Sequence, residues 1–375
     1  MVTDQSGDGH EASTSRSRRS YLSLVGGLVA AGSLSTSGAA AQTPAETVDL
    51  GEQGLTTGEL IDPYLEEFFV DGATVEVPAG TYEWDGEGFE GATENAAVIG
   101  QGDVSLELTG DSFRNNVRAE AGTIELRNFT VHGTVSEKSH FRLETAEGAT
   151  IIADGLDFPD GAVDESECRP FYVPREHAGT VDIRNCYFSS FSDNGIYASS
   201  PGYDDGAGGR VLIENCVAHN INIAAIRVGS SRSVVRNCLI VNDGPAPKSE
   251  TEQRNMRGIR VRNPGENIRI EDCEIIMRHE DTGAPIQIHE EAEGGSGTIS
   301  NVTIRNDTDS EAIDEGDDAA ADWTVSDVEI AGSGDLSYPE TFESVRVGEA
   351  REQPTTDVDT RTKEILAADI TPSIR

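Results

Sequence analysis

The chain has 375 residues, of which 68 are Asp or Glu and only 28 are Lys or Arg, for a formal net charge of −40. A field of that sign repels phosphate backbones and anionic headgroups, which excludes nucleic acid and acidic membranes as partners. Five cysteines make an odd total without a Cys-x-x-Cys spacing, which argues against a disulfide framework or a zinc site.

At the N-terminus, Ser17-Arg18-Arg19-Ser20-Tyr21-Leu22 precedes a weakly apolar run, Leu22 to Ala31, and Ala39-Ala40-Ala41 follows. This combination resembles an export signal of the twin-arginine type. It implies that residues 1–41 are removed and that the mature protein is secreted, with retention at the cell surface left open. The apolar run is too short and too rich in Gly and Ser to span a bilayer. No Cys follows the expected cleavage site, which leaves no anchor point for lipid there. Lys occurs only at 138, 248 and 363. An acidic excess in which Arg replaces Lys resembles proteins of extreme halophiles, where salt screens the self-repulsion.

Residues 46–110 read as a closing cap. Asp62-Pro63 signals a helix start, with Asp62 as N-cap and Pro63 at the first helical position. Tyr64, Leu65, Phe68 and Phe69 supply an apolar stripe, and Asp71-Gly72 ends the helix. Thr74 to Tyr82 is an alternating strand interrupted by a turn at Pro78 and Gly80.

Beyond the cap the chain repeats one phrase. Its clearest copy is Val181-Asp-Ile183-Arg-Asn185-Cys186-Tyr-Phe188, and Asn215-Cys216, Asn237-Cys238 and Asp272-Cys273 anchor the next three. Asn128 and Gly155 mark looser copies upstream; Asn301 and Asp327 mark shorter ones downstream. Successive anchor positions lie about 22 to 35 residues apart, the period of a solenoid. Apolar residues at every second position before the anchor give a strand with one buried face. The anchor breaks the alternation, and Asn suits a corner because it tolerates left-handed backbone angles. Strand, Asn turn, strand is the expected coil of a parallel β-helix. Stacked Asn side chains should form a ladder, and the four cysteines beside them should point inward as small apolar fillers.

The stretches from Gly72 to Gly86 and from Ala96 to Leu108, together with these coils, resemble the pectate-lyase-like, single-stranded right-handed β-helix superfamily over roughly residues 50–335. An Asp-Asp-Thr signature often seen before the cap helix of that superfamily is missing. The resemblance implies an all-β, right-handed parallel β-helix of roughly eight or more coils with a short N-terminal capping helix. The expected organisation is a signal at 1–41, the β-helix with its cap at 42–339, and a C-terminal cap or loose tail at 340–375. That tail contains one weakly helical stretch, Thr360 to Ala368. A monomer is expected.

Function in this superfamily sits on an outward face. Aligning the strand that follows each Asn turn gives an outward column of Arg142, Tyr172, Tyr197, Arg227, Arg260 and Gln287, with Arg262 and His289 beside its end. Rungs one coil apart lie about 4.8 Å from each other. Arginines gathered on one face of so acidic a chain need an anion or interleaved acids. The planar guanidinium fork suits carboxylates, and tyrosine rings suit sugar faces. The column therefore points to an acidic polysaccharide, with solvated arginines neutralised by nearby acids as the alternative. Insertions at 200–209 and 242–255 could wall a groove on this face. Asp193, Asp204 and Asp205 are the candidate calcium ligands, although scattered surface acids would look the same, and no other cofactor is implied.

Three activities remain open. A lyase acting by β-elimination needs a cation against the uronate carboxylate, a base for the C5 proton and a donor for the leaving oxygen. Arg227, Arg260 and Arg262 suit the first role, with Arg142 and Tyr172 as further substrate contacts. Tyr197 or an arginine of lowered proton affinity suits the second, with His289 or His219 as further candidates. A non-catalytic carbohydrate-binding protein would use the same column. A hydrolase needs two carboxylates at a set separation, and the paired-Asp and Gly-His-Gly pattern of β-helix hydrolases is not present. His177, His219, His279 and His289 share no metal-ligand spacing.

Overall fold

The computed structural model describes residues 46–348, which form a right-handed parallel β-solenoid of about 11 turns. Its single α-helix among the described residues, Asp62–Phe68, sits at the N-terminal end. Leu65 and Phe69 are fully buried there, and Tyr64 and Phe68 pack against the same core. The expected cap differs in one respect. Ile61 occupies the N-cap position and no side chain caps the helix. The Asp62 carboxylate instead accepts the backbone N–H groups of Asp85 and Glu87, at 3.0 and 3.2 Å, and so ties the helix to the first coil. Burial pushes that carboxyl up to about 7.

Strands pair in parallel into one 16-stranded and one 8-stranded sheet. A representative coil contains Thr180–Arg184, then Tyr187–Ser189, then Ile196–Ala198. The first two belong to the large sheet and meet at the Asn185 corner; the third belongs to the smaller sheet. Coils thus carry three strands rather than the two expected. A three-residue strand is too short to show an alternation, so the second corner, Ser190–Gly195 in this coil, reads as loop in sequence.

The Asn corner itself is as expected. Asn128, Gly155, Asn185, Asn215, Asn237, Asp272, Asn301 and Asp327 all adopt left-handed angles, with φ from 52 to 66°. Their side chains bond one another rather than the neighbouring backbone over most of the ladder. Asn215 Nδ2 donates to Asn185 Oδ1 at 3.1 Å, and Asn237 Nδ2 donates to Asn215 Oδ1 at 2.6 Å. Asn185 Nδ2 donates to Asp154 Oδ1 at 2.7 Å, and Asn301 Nδ2 to Asp272 Oδ1 at 2.6 Å. Cys186, Cys216, Cys238 and Cys273 are free and buried beside the ladder. Their thiols point at the carbonyls of the preceding coil, as Cys216 Sγ does at Ile183 O.

Inward columns fill the bore. In the smaller sheet Phe141, Phe171, Ile196, Ile226, Ile259, Ile286 and Ile313 stand in register. All seven are essentially inaccessible, each stabilising the fold by about 1.5–3 kcal/mol through burial. Because side chains alternate faces, this inward column fixes the residues between as an outward one. The strand Val345–Val347 pairs with Val328–Ile330, so strand pairing continues past residue 339. The expected export signal at 1–41 and the expected helical stretch 360–368 lie outside the described residues.

Candidate functional site

The smaller sheet's outward column has the register Arg142, Tyr172, Tyr197, Arg227, Arg260, Gln287, and it extends to Asn116 on one side and Asp314 on the other. Every expected member is present, but they divide into two groups.

The first group is aromatic and charge-balanced. Arg142 is held by Glu144 and by Glu176, the latter at 3.0 Å. Tyr172 and Tyr197 meet edge to face with centroids 5.4 Å apart, and His140 packs on Tyr172 at 5.6 Å. Arg169, unremarked in the sequence, lies over both tyrosine rings at 5.7 and 5.3 Å. It is buried and pairs with Glu167 and with Asp193, the latter at 2.6 Å. Asp193 is therefore spent on an arginine. Asp205 pairs with Arg175 at 2.8 Å. Among the described residues no group of three or more His, Cys, Asp or Glu is placed to hold a metal ion, so the calcium set of Asp193, Asp204 and Asp205 is not assembled.

The second group is cationic. The Arg227 guanidinium stacks 4.2 Å over the Tyr197 ring, donates from Nε to Ser199 Oγ at 2.9 Å, and reaches Tyr203 OH at 3.4 Å. The Tyr203 and Tyr197 hydroxyls are 3.5 Å apart. Burial pushes the Tyr203 phenol up to about 12. Arg257 donates only to the carbonyls of Ile223 and Asn255, at 3.3 and 3.4 Å. Arg260 Nε is buried without an acceptor. Among the described residues, none of these three arginines has a carboxylate within ion-pair distance. Burial, reinforced by Arg227, Arg257 and Arg262, brings the proton affinity of Arg260 down to about 9. Burial also brings Arg257 down to about 10.

Arg262 differs from its neighbours because Glu291 pairs with it. His289 Nδ1 lies 3.2 Å from Arg262 Nη1 and 3.2 Å from the Glu291 backbone N–H. Both partners are donors, so the hydrogen-bond pattern assigns Nδ1 as acceptor and puts the proton on Nε2. Burial, followed by the fields of Arg260 and Arg262, lowers His289 to about 4. His289 is thus neutral, with Nδ1 engaged by Arg262 and the Glu291 backbone and Nε2 carrying the proton. His219 belongs to a strand of the large sheet and bonds Asp243 at 2.9 Å, so it leaves the site. His177 is buried between Thr145 and the Arg210 carbonyl as a structural link.

Tyr203 and Arg257 are the functional candidates that sequence reading overlooks, along with Arg169. Tyr203 comes from the 200–209 insertion, the one signal that could have flagged it. Arg257 precedes its strand by two residues, and Arg169 sits where the pairing register shifts.

The family described as "Right handed beta helix region" matches residues 175–334, which include Tyr197, Arg227, Arg257, Arg260, Arg262 and His289. No curated protein matches in sequence. Three solved structures are similar in part. A family 28 exopolygalacturonase from Yersinia enterocolitica is 12% identical with a TM-score of 0.36, covering 81% of this chain and 78% of that one. An alginate lyase from Paenibacillus is 14% identical with a TM-score of 0.43, over 81% and 98% of the two chains. The A-module of a mannuronan C-5 epimerase from Azotobacter vinelandii is 13% identical with a TM-score of 0.33, over 82% and 100%.

Proposed function

We propose that the protein is an exported polysaccharide lyase whose smaller-sheet face binds an acidic glycan and cleaves it by β-elimination. The observation that carries this reading is the trio Arg227, Arg257 and Arg260. These are guanidiniums without carboxylate partners, on a chain of net charge −40. Acids outnumber bases more than twofold, so an arginine left without one is positioned for an anion from outside. In the reaction, Arg227 and Arg257 hold the uronate carboxylate and stabilise the charge that develops as C5 loses its proton. Arg260 takes that proton; with a value of about 9 it is neutral in about one molecule in a hundred at pH 7. The C4–O bond breaks, a C4=C5 double bond forms, and the leaving oxygen is protonated. Tyr197, on the outward column next to Arg227, is placed for that last step. The Nε2–H of His289 supplies a fixed hydrogen bond. Hydrolysis is disfavoured because the nearby carboxylates are engaged: Asp193 by Arg169, Glu291 by Arg262, and Asp314 by Gln287 at 2.6 Å.

The test is a screen of uronate polymers at molar salt, following the ultraviolet absorbance of unsaturated uronate products. Absorbance should grow, and kcat/KM should climb with pH toward about 9 as Arg260 loses its proton. Tight retention of a uronate polymer without any absorbance would identify a carbohydrate-binding protein instead. High salt is part of the proposal, since the −40 charge needs screening. Retention of the far-UV spectrum after dialysis to millimolar salt would remove the halophilic reading.

A further inference from the structure

The charge along the outward column is not uniform, and its pattern bears on which acidic glycan fits. Resting on the reading of this face as an anionic-glycan site, we infer that its substrate is a heteropolysaccharide presenting one or two adjacent carboxylates flanked by uncharged sugars, rather than an unbroken polyuronate.

The uncompensated cations occupy only two neighbouring coils. Arg227 and Arg260 are direct partners across the two strands, and Arg257 stands in the same coil as Arg260. On the C-terminal side the next rung is Gln287, which is neutral, and the one beyond is Asp314. Acids crowd this end: burial, followed by the fields of Asp314, Asp335 and Glu315, raises the Glu311 carboxyl. On the N-terminal side the next rungs are Tyr197 and Tyr172, neutral rings with a buried Arg169 whose charge Asp193 and Glu167 already balance. Beyond them Arg142 is offset by Glu144 and Glu176. A glycan lying along the axis therefore meets uncompensated cations in the middle, charge-balanced surface toward the N-terminal end, and acids at the C-terminal end.

A uronate on every sugar would also set carboxylates over Gln287 and Asp314, rungs that carry no arginine. Long-range attraction from the central arginines offers no rescue in strong salt, because the screening length at molar ionic strength is about 3 Å. Only direct contacts count, so a carboxylate against a guanidinium gains affinity and one set against the Asp314 carboxylate loses it.

The test measures binding of galacturonan and mannuronan oligomers in molar salt, each fully charged or with part of its carboxyls methyl-esterified. Partly esterified oligomers should bind roughly threefold more tightly than fully charged ones of equal length, about the effect of one exposed charge pair. Asp314→Asn, which keeps an acceptor for Gln287, and Glu176→Gln should narrow that gap by raising affinity for the fully charged oligomers alone. Thermal melts of both variants check that the fold is intact. Fully charged oligomers binding as well as or better than the esterified ones, with Asp314→Asn leaving them unaffected, would overturn the inference while the anionic site stands. Failure of every oligomer to bind would overturn the anionic site and this inference together.

Discussion

Two sets of arginines sit on the outside of this solenoid at the same strand spacing, and they are treated in opposite ways. On the large sheet Arg127 bonds Glu125 at 2.7 Å and approaches Asp154 at 3.5 Å. Arg184 bonds Asp154 at 3.0 Å and Asp182 at 3.1 Å, Arg236 pairs with Glu214, and Arg269 bonds Glu271 at 3.1 Å. On the smaller sheet, among the described residues, Arg227 has hydroxyl partners, Arg257 has carbonyls, and Arg260 Nε is buried without an acceptor. The contrast separates arginine used as mortar from arginine held ready. Interleaved acids turn a stack of like charges into a ladder of attractions, whereas their omission leaves a repulsion that only a ligand relieves.

The largest expected effect is on the mortar. Asp154 is 1% exposed and serves Arg127, Arg184 and Asn185 at once. Asp154→Ala takes one of two carboxylates from Arg127 and Arg184 and the acceptor from Asn185 Nδ2, and should destabilise the fold by about 3–5 kcal/mol, read from denaturant unfolding at fixed salt. A change within experimental error would mean that the ladder is ornamental and that the contrast between the sheets carries no energy.

A neutral rung of the same corner calibrates that number. Asn215 keeps φ at 56° and links Asn185 to Asn237. Asn215→Ala should lose about 1–3 kcal/mol from broken hydrogen bonds, with a further contribution from left-handed strain. Asn215→Gly removes the strain but not the lost bonds, and should recover only part of the stability. Full recovery by Gly would assign the whole effect to backbone angle.

The smallest stability effect belongs to the other sheet. Arg260→Met removes a half-buried charge that has no partner and keeps much of the side-chain volume. Unfolding free energy should stay level or rise by up to about 1 kcal/mol. Wild type should regain that difference as pH climbs above about 9, where the folded protein releases a proton that the unfolded chain still holds. A clear loss of stability at neutral pH would show that Arg260 has a structural partner after all.

Much of this division was within reach of sequence. All eight corner positions were legible because left-handed geometry restricts residue choice to Asn, Asp and Gly. The outward column was legible because the inward Ile and Phe between its members keep strict alternation. Which arginines have partners was not, since pairing depends on residues one coil away or in loops. Asp193 looked like a calcium ligand until Arg169, 24 positions earlier, proved to be its neighbour. The tautomer of His289 was not legible either, since the donors that fix it, Arg262 and the Glu291 backbone, lie around Nδ1 in the folded chain. Arg257 and Tyr203 lie outside the alternating strands, where no periodicity points to a face.

The most direct test of the claim that these unpaired arginines form the anion site is a titration of one uronate oligomer into three proteins at molar salt. Beside wild type, Arg260→Met and Arg184→Met lose the same functional group from opposite sheets. Affinity should fall at least about tenfold for Arg260→Met, as expected for a charge-assisted contact, and stay near wild type for Arg184→Met. Equal losses in both variants, or full affinity without Arg260, would contradict the account and place any anion site on another face.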